Sequence, residues 1–119
     1  MGRIVMEDCI FCKIINGQIP GDFVFKDDRV VAFKDIHPMA PLHVLIVPRE
    51  HIASLAEITE AKAGLVAHMV AVANSLARQN GVADKGYRVV INSGSDGGQV
   101  VQHLHMHLLG GKPLDGKLG

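Results

Sequence analysis

The sequence predicts an α+β domain in which a mainly antiparallel, five-stranded sheet carries one long helix and several short ones. Three observations lead there. Five short runs rich in β-branched and apolar residues are bounded by turn residues. A single long segment has apolar residues at helical spacing. The order is strands, helix, strands with short connections, which suits antiparallel pairing better than the crossover units of a parallel sheet. The length, 119 residues, fits one domain spanning 1–119. A chain of that size buries about two-thirds of its unfolded surface, enough for one core.

The elements follow in chain order. Ile10 to Ile15 is apolar around Lys13 and stops at Asn16-Gly17, a short helix ended by a turn signal. Phe23 to Phe25 and Val30 to Phe33 are strand-like, and Asp27-Asp28 between them suits a hairpin. Pro38 and Pro41 bracket a loop before His43 to Val47, a buried strand closed by Pro48. Ser54 with Glu57 has capping-box spacing and predicts a short helix. Glu60 to Gln79 is the long helix, with Thr59 as N-cap and Gly81 just past its end. Its Leu65, Met69, Val72 and Leu76 form one stripe, and Val66, Val70, Ala73 and Ala77 a second beside it. So wide an apolar face predicts a partner subunit as well as a sheet. Tyr87 to Asn92 is a strand with the β-branched centre Val89, Val90 and Ile91. After Ser93 to Gly98, the last strand runs from about Val100 to Leu109.

Composition excludes several classes of function. Twelve Lys and Arg balance twelve Asp and Glu, which argues against binding nucleic acid through bulk charge. No run of 18 apolar residues exists to span a membrane. The start, Met1 to Asp8, turns acidic after three apolar residues and lacks a signal-peptide core, so a cytoplasmic location is the expectation. The two cysteines, Cys9 and Cys12, form one C-x-x-C. In a reducing compartment that spacing points to metal or redox chemistry rather than a structural staple.

The chemistry concentrates in His103-Leu104-His105-Met106-His107-Leu108-Leu109. Strand side chains alternate faces, so the three histidines share one face while Leu104, Met106 and Leu108 fill the core from the other. A helix would scatter the histidines by about 200° per two-residue step. His-x-His on a strand can also supply two zinc ligands, so a metal site is the rival reading. The preceding loop, Ser93 to Gln99, carries three glycines between two strands. Glycine permits positive φ and close backbone approach, and successive N–H groups can form an anion nest. A phosphate held beside imidazoles makes a phosphoryl-transfer site.

Gly97-Gly98-Gln99 followed by His103-x-His105-x-His107-Leu108-Leu109 resembles the signature of the histidine triad (HIT) superfamily. Asp35-Ile36-x-Pro38, Ala40-Pro41-x-His43 and Ile46-Val47-Pro48-x-x-His51-Ile52 resemble its central block. The similarity runs from about Cys9 to Pro113 and is nearest to the Hint branch of histidine-triad nucleotide-binding proteins. It implies a HIT-like domain, a homodimer, and a purine-nucleotide phosphoramidase or nucleotidyl hydrolase needing no catalytic metal. It further implies that His105 is the nucleophile on the α-phosphorus and that His107 contacts the phosphate or leaving group. His43 would orient His105, and His103 completes the triad. Asn92 and the backbone at Gly98, Gln99 and Val100 would hold phosphate oxygens, and Asp35 the ribose hydroxyls. Ile10, Phe11, Ile14, Phe33 and Ile36 would form the slot for the base.

The sequence departs from the family pattern in two places. Val100 stands where eukaryotic relatives often carry a hydroxyl, so only its N–H can serve the phosphate. There is no Trp, and the tail Leu114 to Gly119 is small and expected to be flexible. In one set of relatives Cys9 and Cys12 would join His51 and His103 around structural zinc; reduced free thiols or a redox pair are the alternatives. His37 and His68 are read as surface residues. The neighbouring functional readings are a dinucleoside polyphosphate hydrolase, a nucleotidyltransferase of a sister branch, and a nucleotide-sensing or zinc-bearing interaction module with weak turnover.

Overall fold

The computed structural model describes residues 8–118. The residues before Asp8, on which most of the signal-peptide expectation rests, and Gly119 at the end of the tail lie outside them. The elements are α1 (Ile10–Ile15), β1 (Phe23–Lys26), β2 (Val30–Lys34), β3 (Leu42–Pro48), α2 (Ala63–Gln79), β4 (Tyr87–Val90) and β5 (Met106–Gly110). Single 3-10 turns lie at Leu55–Glu57, Glu60–Lys62 and Ser95–Gly97. The five strands form one sheet in the order β1-β2-β3-β5-β4, and every neighbouring pair is antiparallel.

Alternation divides the sheet into two faces. Val30, Ala32, Val44, Ile46, Met106 and Leu108 point toward α2 and pack with its Met69, Val72, Ala73, Leu76 and Ala77. Val31, Phe33, Leu45 and Val47 point the other way and pack with Phe11, Cys12 and Ile14 of α1. The short helix therefore covers the β2–β3 half of the second face. The β5–β4 half, where His107 lies across from Leu45 and Val90, is left for chemistry.

Four boundaries differ from the sequence reading. The last strand begins at Met106 rather than Val100, because 101–105 turns away to meet other partners; Leu104 N–H donates to Ile52 O at 2.7 Å. β4 ends at Val90, two residues early. The long helix begins at Ala63, after a 3-10 turn over Glu60–Lys62, and the Thr59 side chain makes no capping bond. Ser54 does cap, but only a 3-10 turn: its Oγ accepts from Ala56 N–H, while Glu57 Oε1 accepts from Ala53 N–H.

The second apolar stripe of α2 is only partly covered. Ala73 and Ala77 are buried, whereas Val66 is half-buried and Val70 is 42% exposed. Val89 on the edge strand β4 is also exposed, on the α2 side of the sheet. His68 is not a free surface residue: its Nε2 lies 2.7 Å from Asp27 Oδ2, joining α2 to the β1–β2 turn. His37 is exposed as expected. The tail is seated rather than loose at Asp115, which pairs with Arg88 of β4.

Candidate active site

The triad divides between two environments. Leu104, Met106 and Leu108 are all buried beneath α2, so the alternation read from the sequence holds even where the ladder has not yet begun. His105 and His107 stand on the opposite face, ring centroids 5.1 Å apart. His103, on the same face, is fully buried and turns toward the N-terminal cysteines.

Hydrogen bonds fix the tautomer of each reactive ring. His105 Nδ1 donates to the carbonyl oxygen of His103 at 2.7 Å, so its Nε2 carries the lone pair. Among the described residues that Nε2 has no protein partner, and no buried side-chain nitrogen or oxygen is left unpaired. The lone pair therefore faces solvent. A second chain starts at a backbone donor. Met39 N–H donates to His43 Nδ1 at 3.0 Å, so His43 must carry its proton on Nε2. Nε2 donates in turn to His107 Nδ1 at 3.0 Å, with Asp35 Oδ2 3.5 Å away. His107 is thereby left with a proton on its free Nε2. His43 was expected to orient His105; it orients His107 instead, because Leu45, two residues along β3, is the residue that pairs with His107.

Both supporting rings are held neutral. Burial drops the His107 pKa to about 4, helped by the neighbouring His105 and His43 and opposed by Asp35. Burial lowers His43 as well, against the pull of the Asp35 carboxylate. The site thus offers an imidazole lone pair and, beside it, an imidazole N–H. That pair can attack an electrophile and bind its oxygen without needing a cation.

The glycine loop differs from the expected nest. The N–H groups of Gly98 and Gln99 donate within the loop, to Ser95 O and Gly94 O, so they are not free for phosphate oxygens. The Val100 N–H takes no part in that internal set, and the residue is 87% exposed. Gly94 and Gly98 have φ of +76° and +86°, which a side chain would strain. Asn92 Nδ2 donates to Gly97 O at 2.8 Å, bracing the loop beside the triad. Gln99 acts through its side chain. The buried amide donates to Ala53 O and Val101 O and accepts from Gly94 N–H. That role escaped the sequence reading, since the three partner groups are all backbone.

The proposed base slot is unevenly open. Phe11, Ile14 and Phe33 are buried in the α1 core; Phe11 and Phe33 meet edge-to-face at 5.5 Å. Ile10 and Ile36 offer exposed apolar surface, 44% and 84%. Asp35 Oδ1 accepts from His37 N–H, fixing the carboxylate near His43. On the other side of His107 a cleft of about 550 Å³ runs past Asn92 and Arg88 to the tail at Lys112 and Leu114.

Cys9, Cys12, His51 and His103 converge at the start of α1, with their ligating atoms within 4.8 Å of one another. Cys9 Sγ accepts from Cys12 N–H at 3.4 Å, which caps the helix and turns both sulfurs the same way. His103 Nδ1 lies 3.3 Å from Cys9 Sγ and 3.6 Å from Cys12 Sγ, and His51 Nδ1 lies 3.3 Å from Cys12 Sγ. Nε2 of His103 donates to Pro48 O at 2.8 Å, leaving Nδ1 as the ligating atom. Two sulfurs and two imidazole nitrogens at this spacing fit a tetrahedral zinc set. The carbonyl of Pro48 is a second contributor that residue types could not reveal.

Comparison with known proteins places the chain in a family. Residues 8–116 match the family described as scavenger mRNA decapping enzyme C-term binding. A purine nucleoside phosphoramidase of Escherichia coli is 46% identical over 108 residues, covering 91% of each chain. A histidine triad protein from Clostridium difficile superposes with a TM-score of 0.92 at 48% identity, over 97% of this chain and 100% of that one. A zinc-bound histidine triad family protein from Mycobacterium smegmatis gives a TM-score of 0.78 at 25% identity, over 92% of this chain and 78% of that one.

Proposed function

The chain belongs to the histidine triad superfamily, and from that membership we propose that it is a hydrolase of purine nucleoside phosphoramidates and related nucleotidyl conjugates, with His105 as nucleophile. The observation that carries the assignment is the bond from His105 Nδ1–H to His103 O, which presents the Nε2 lone pair to the open site. The similarity to a purine nucleoside phosphoramidase supports the nucleotide and the P–N bond.

The reaction follows from the two tautomers. His105 Nε2 attacks the α-phosphorus; the Nε2–P bond forms and the P–N bond breaks. The amine leaves with a proton from solvent, since neither neutral ring has one to spare. His105 becomes a phosphorylated imidazolium, and its Nδ1–H bond to the His103 carbonyl strengthens as charge develops. His107 Nε2–H hydrogen-bonds a phosphoryl oxygen, with its direction set by His43. Asn92 and the Val100 N–H stand at the phosphate, Asp35 at the ribose, and Ile10 and Ile36 at the base. Water then attacks the phosphorus from the leaving-group side, one proton is lost to solvent, and neutral His105 returns.

Cys9, Cys12, His51 and His103 would hold structural zinc. When bound, zinc keeps both thiols ionised and cross-links the N-terminal turn to the catalytic segment. The protein is read as a homodimer built on α2 and the edge strand β4, where Val70 and Val89 are exposed. No helix among the described residues is long and apolar enough to cross a membrane. Two free thiols suit the reducing cytoplasm.

The test is a turnover screen of AMP-amidates, dinucleotides and nucleotide sugars with wild type and His105→Ala. Amidates should be the best substrates. His105→Ala should lose about 10⁴-fold or more in kcat while keeping its fold and binding AMP. Undiminished turnover in the variant would remove the nucleophile assignment.

A further inference from the structure

The cleft of about 550 Å³ beside His107 shares no wall with the base slot, with Asp35 or with His105. The sheet register explains where it lies. His107 faces Val90 across the β4–β5 ladder, and Leu109, two residues on, faces Arg88. Residues two apart on a strand share a face, so Arg88 is a diagonal neighbour of His107 on the site side of the sheet, with Cα atoms about 7 to 8 Å apart. An in-line displacement sends the leaving group away from the attacking Nε2. The cleft starts at His107 and Asn92, both assigned above to the phosphate, and runs away from the nucleophile toward β4 and the tail. That course fits the leaving amine.

Its walls also select by charge. Three cationic side chains, Arg88, Lys112 and Lys117, stand against a single carboxylate, Asp115, in a chain whose formal net charge is zero. The two imidazoles at its inner end add no charge, because burial keeps both neutral. No other aromatic ring lines the cleft, so an aryl amine finds nothing further to stack on. Arg88 already holds an anion. Its Nη2 donates to the carbonyl oxygen of Asp115, and its Nη1 lies 3.7 Å from Asp115 Oδ1. The Arg88 side chain is 29% exposed and that of Asp115 68%. The guanidinium is thus seated on the sheet, while the carboxylate it meets is wet and loosely held.

We propose that this cleft is a leaving-group subsite for an amine that carries a carboxylate, with Arg88 as the specificity-determining residue. The proposal rests on the reading of the chain as a phosphoramidase and names the conjugate it prefers. The substrate carboxylate replaces Asp115 on the Arg88 fork, whose parallel N–H donors match two oxygens. Lys112 and Lys117 supply the outer charge that draws it in. The bonds made and broken are those given above: the amine takes its proton from solvent, and the carboxylate stays ionised throughout. Asp115 is then a competitor built into the tail.

The experiment pairs two adenosine 5′-phosphoramidates of equal size, one of β-alanine and one of β-alaninamide, so that the leaving groups differ in charge and not in reach. The quotient of their kcat/KM values measures discrimination. Wild type should favour the β-alanine conjugate about threefold or more, the worth of a partly exposed ion pair, and less so as salt rises. Arg88→Gln should bring the quotient to about one. Asp115→Asn, a change at an exposed position, should raise it about twofold or more by removing the competitor. A wild-type quotient below about threefold, or one that Arg88→Gln leaves in place, overturns the proposal. If Arg88→Gln fails to fold, Asp115→Asn decides, and a quotient unchanged or lowered there overturns it. Calorimetric binding of both conjugates to His105→Ala makes the same comparison without turnover. If amidates prove not to be substrates, the assignment of activity falls, while the two affinities still decide whether the cleft takes a carboxylate.

Discussion

In the proposed reaction His43, a buried residue, acts through its neighbour rather than on substrate. Its Nδ1 accepts from the main chain at Met39, and its Nε2–H donates to His107 Nδ1. Remove it and His107 has no partner at Nδ1, so either ring nitrogen can carry the proton and the Nε2–H proposed to meet the phosphate is present only part of the time. His43→Ala is expected to lower kcat about tenfold to hundredfold, with a smaller effect on KM. His43→Gln, which keeps a donor near His107, should recover part of the loss. Steady-state kinetics on an amidate check this, and equal kcat in wild type and His43→Ala would count against the chain of bonds. Because burial keeps His107 neutral down to about pH 4, protonation of that ring should not be what limits turnover between pH 6 and 8.

At the scale of the element, the loop 93–100 is held from inside by one side chain. Gln99 spends both donors and its acceptor on Ala53, Val101 and Gly94, which ties the loop to the segment before α2. Gln99→Ala should destabilise the fold by about 1 to 3 kcal/mol through the carbonyls and N–H left unpaired. It should also raise KM more than it lowers kcat. Urea unfolding and kinetics read the two effects, and an unchanged KM would separate the loop from nucleotide binding. The residues show what a sequence can and cannot display. Side-chain alternation across 103–108 depends on backbone period alone, so the two faces were legible without a fold. Donor direction is not legible. Whether the N–H of Gly98 points outward or back to Ser95 depends on a φ of +86° that the glycine permits but does not announce. The pairing of His43 with His107 was hidden in the β3–β5 register, and the start of β5 in a contact between Leu104 and Ile52. The short helix α1 was readable from end to end because its own Asn16-Gly17 stops it.

At the scale of the whole molecule, stability should depend on pH in a definite direction. The unfolded histidines take up protons near pH 6.5. Buried His107 does not until about pH 4. Between those values the unfolded chain binds more protons, so stability is fully present above about pH 6.5 and falls as pH drops toward 4. Asp27 adds a later loss. Burial would raise its pKa, but the N–H groups of Val30 and Arg29 and the His68 ring outweigh it and hold the carboxyl below its usual range. Its contribution survives until pH falls through that lower value. Urea midpoints from pH 8 to 3 should trace this decline; a flat profile from 7 to 4 would contradict it. The exposed Val70 and Val89 predict that sedimentation at micromolar concentration gives about twice 12.8 kDa, and a monomer there would exclude the α2–β4 pairing. One consequence of the two-faced sheet concerns length rather than composition. From Leu104 to Leu108, residues alternate between packing against α2 and facing the candidate site. A deletion or insertion of one residue inside the paired strand, between Met106 and Leu109, would exchange the destinations of the residues beyond it, turning core side chains toward the site and site side chains toward α2. The segment can drift in side-chain identity, but it is intolerant of any odd change in length. Gains and losses of residues among descendants of this gene should collect beyond Pro113 or in the turn at 81–86, where no such parity is at stake.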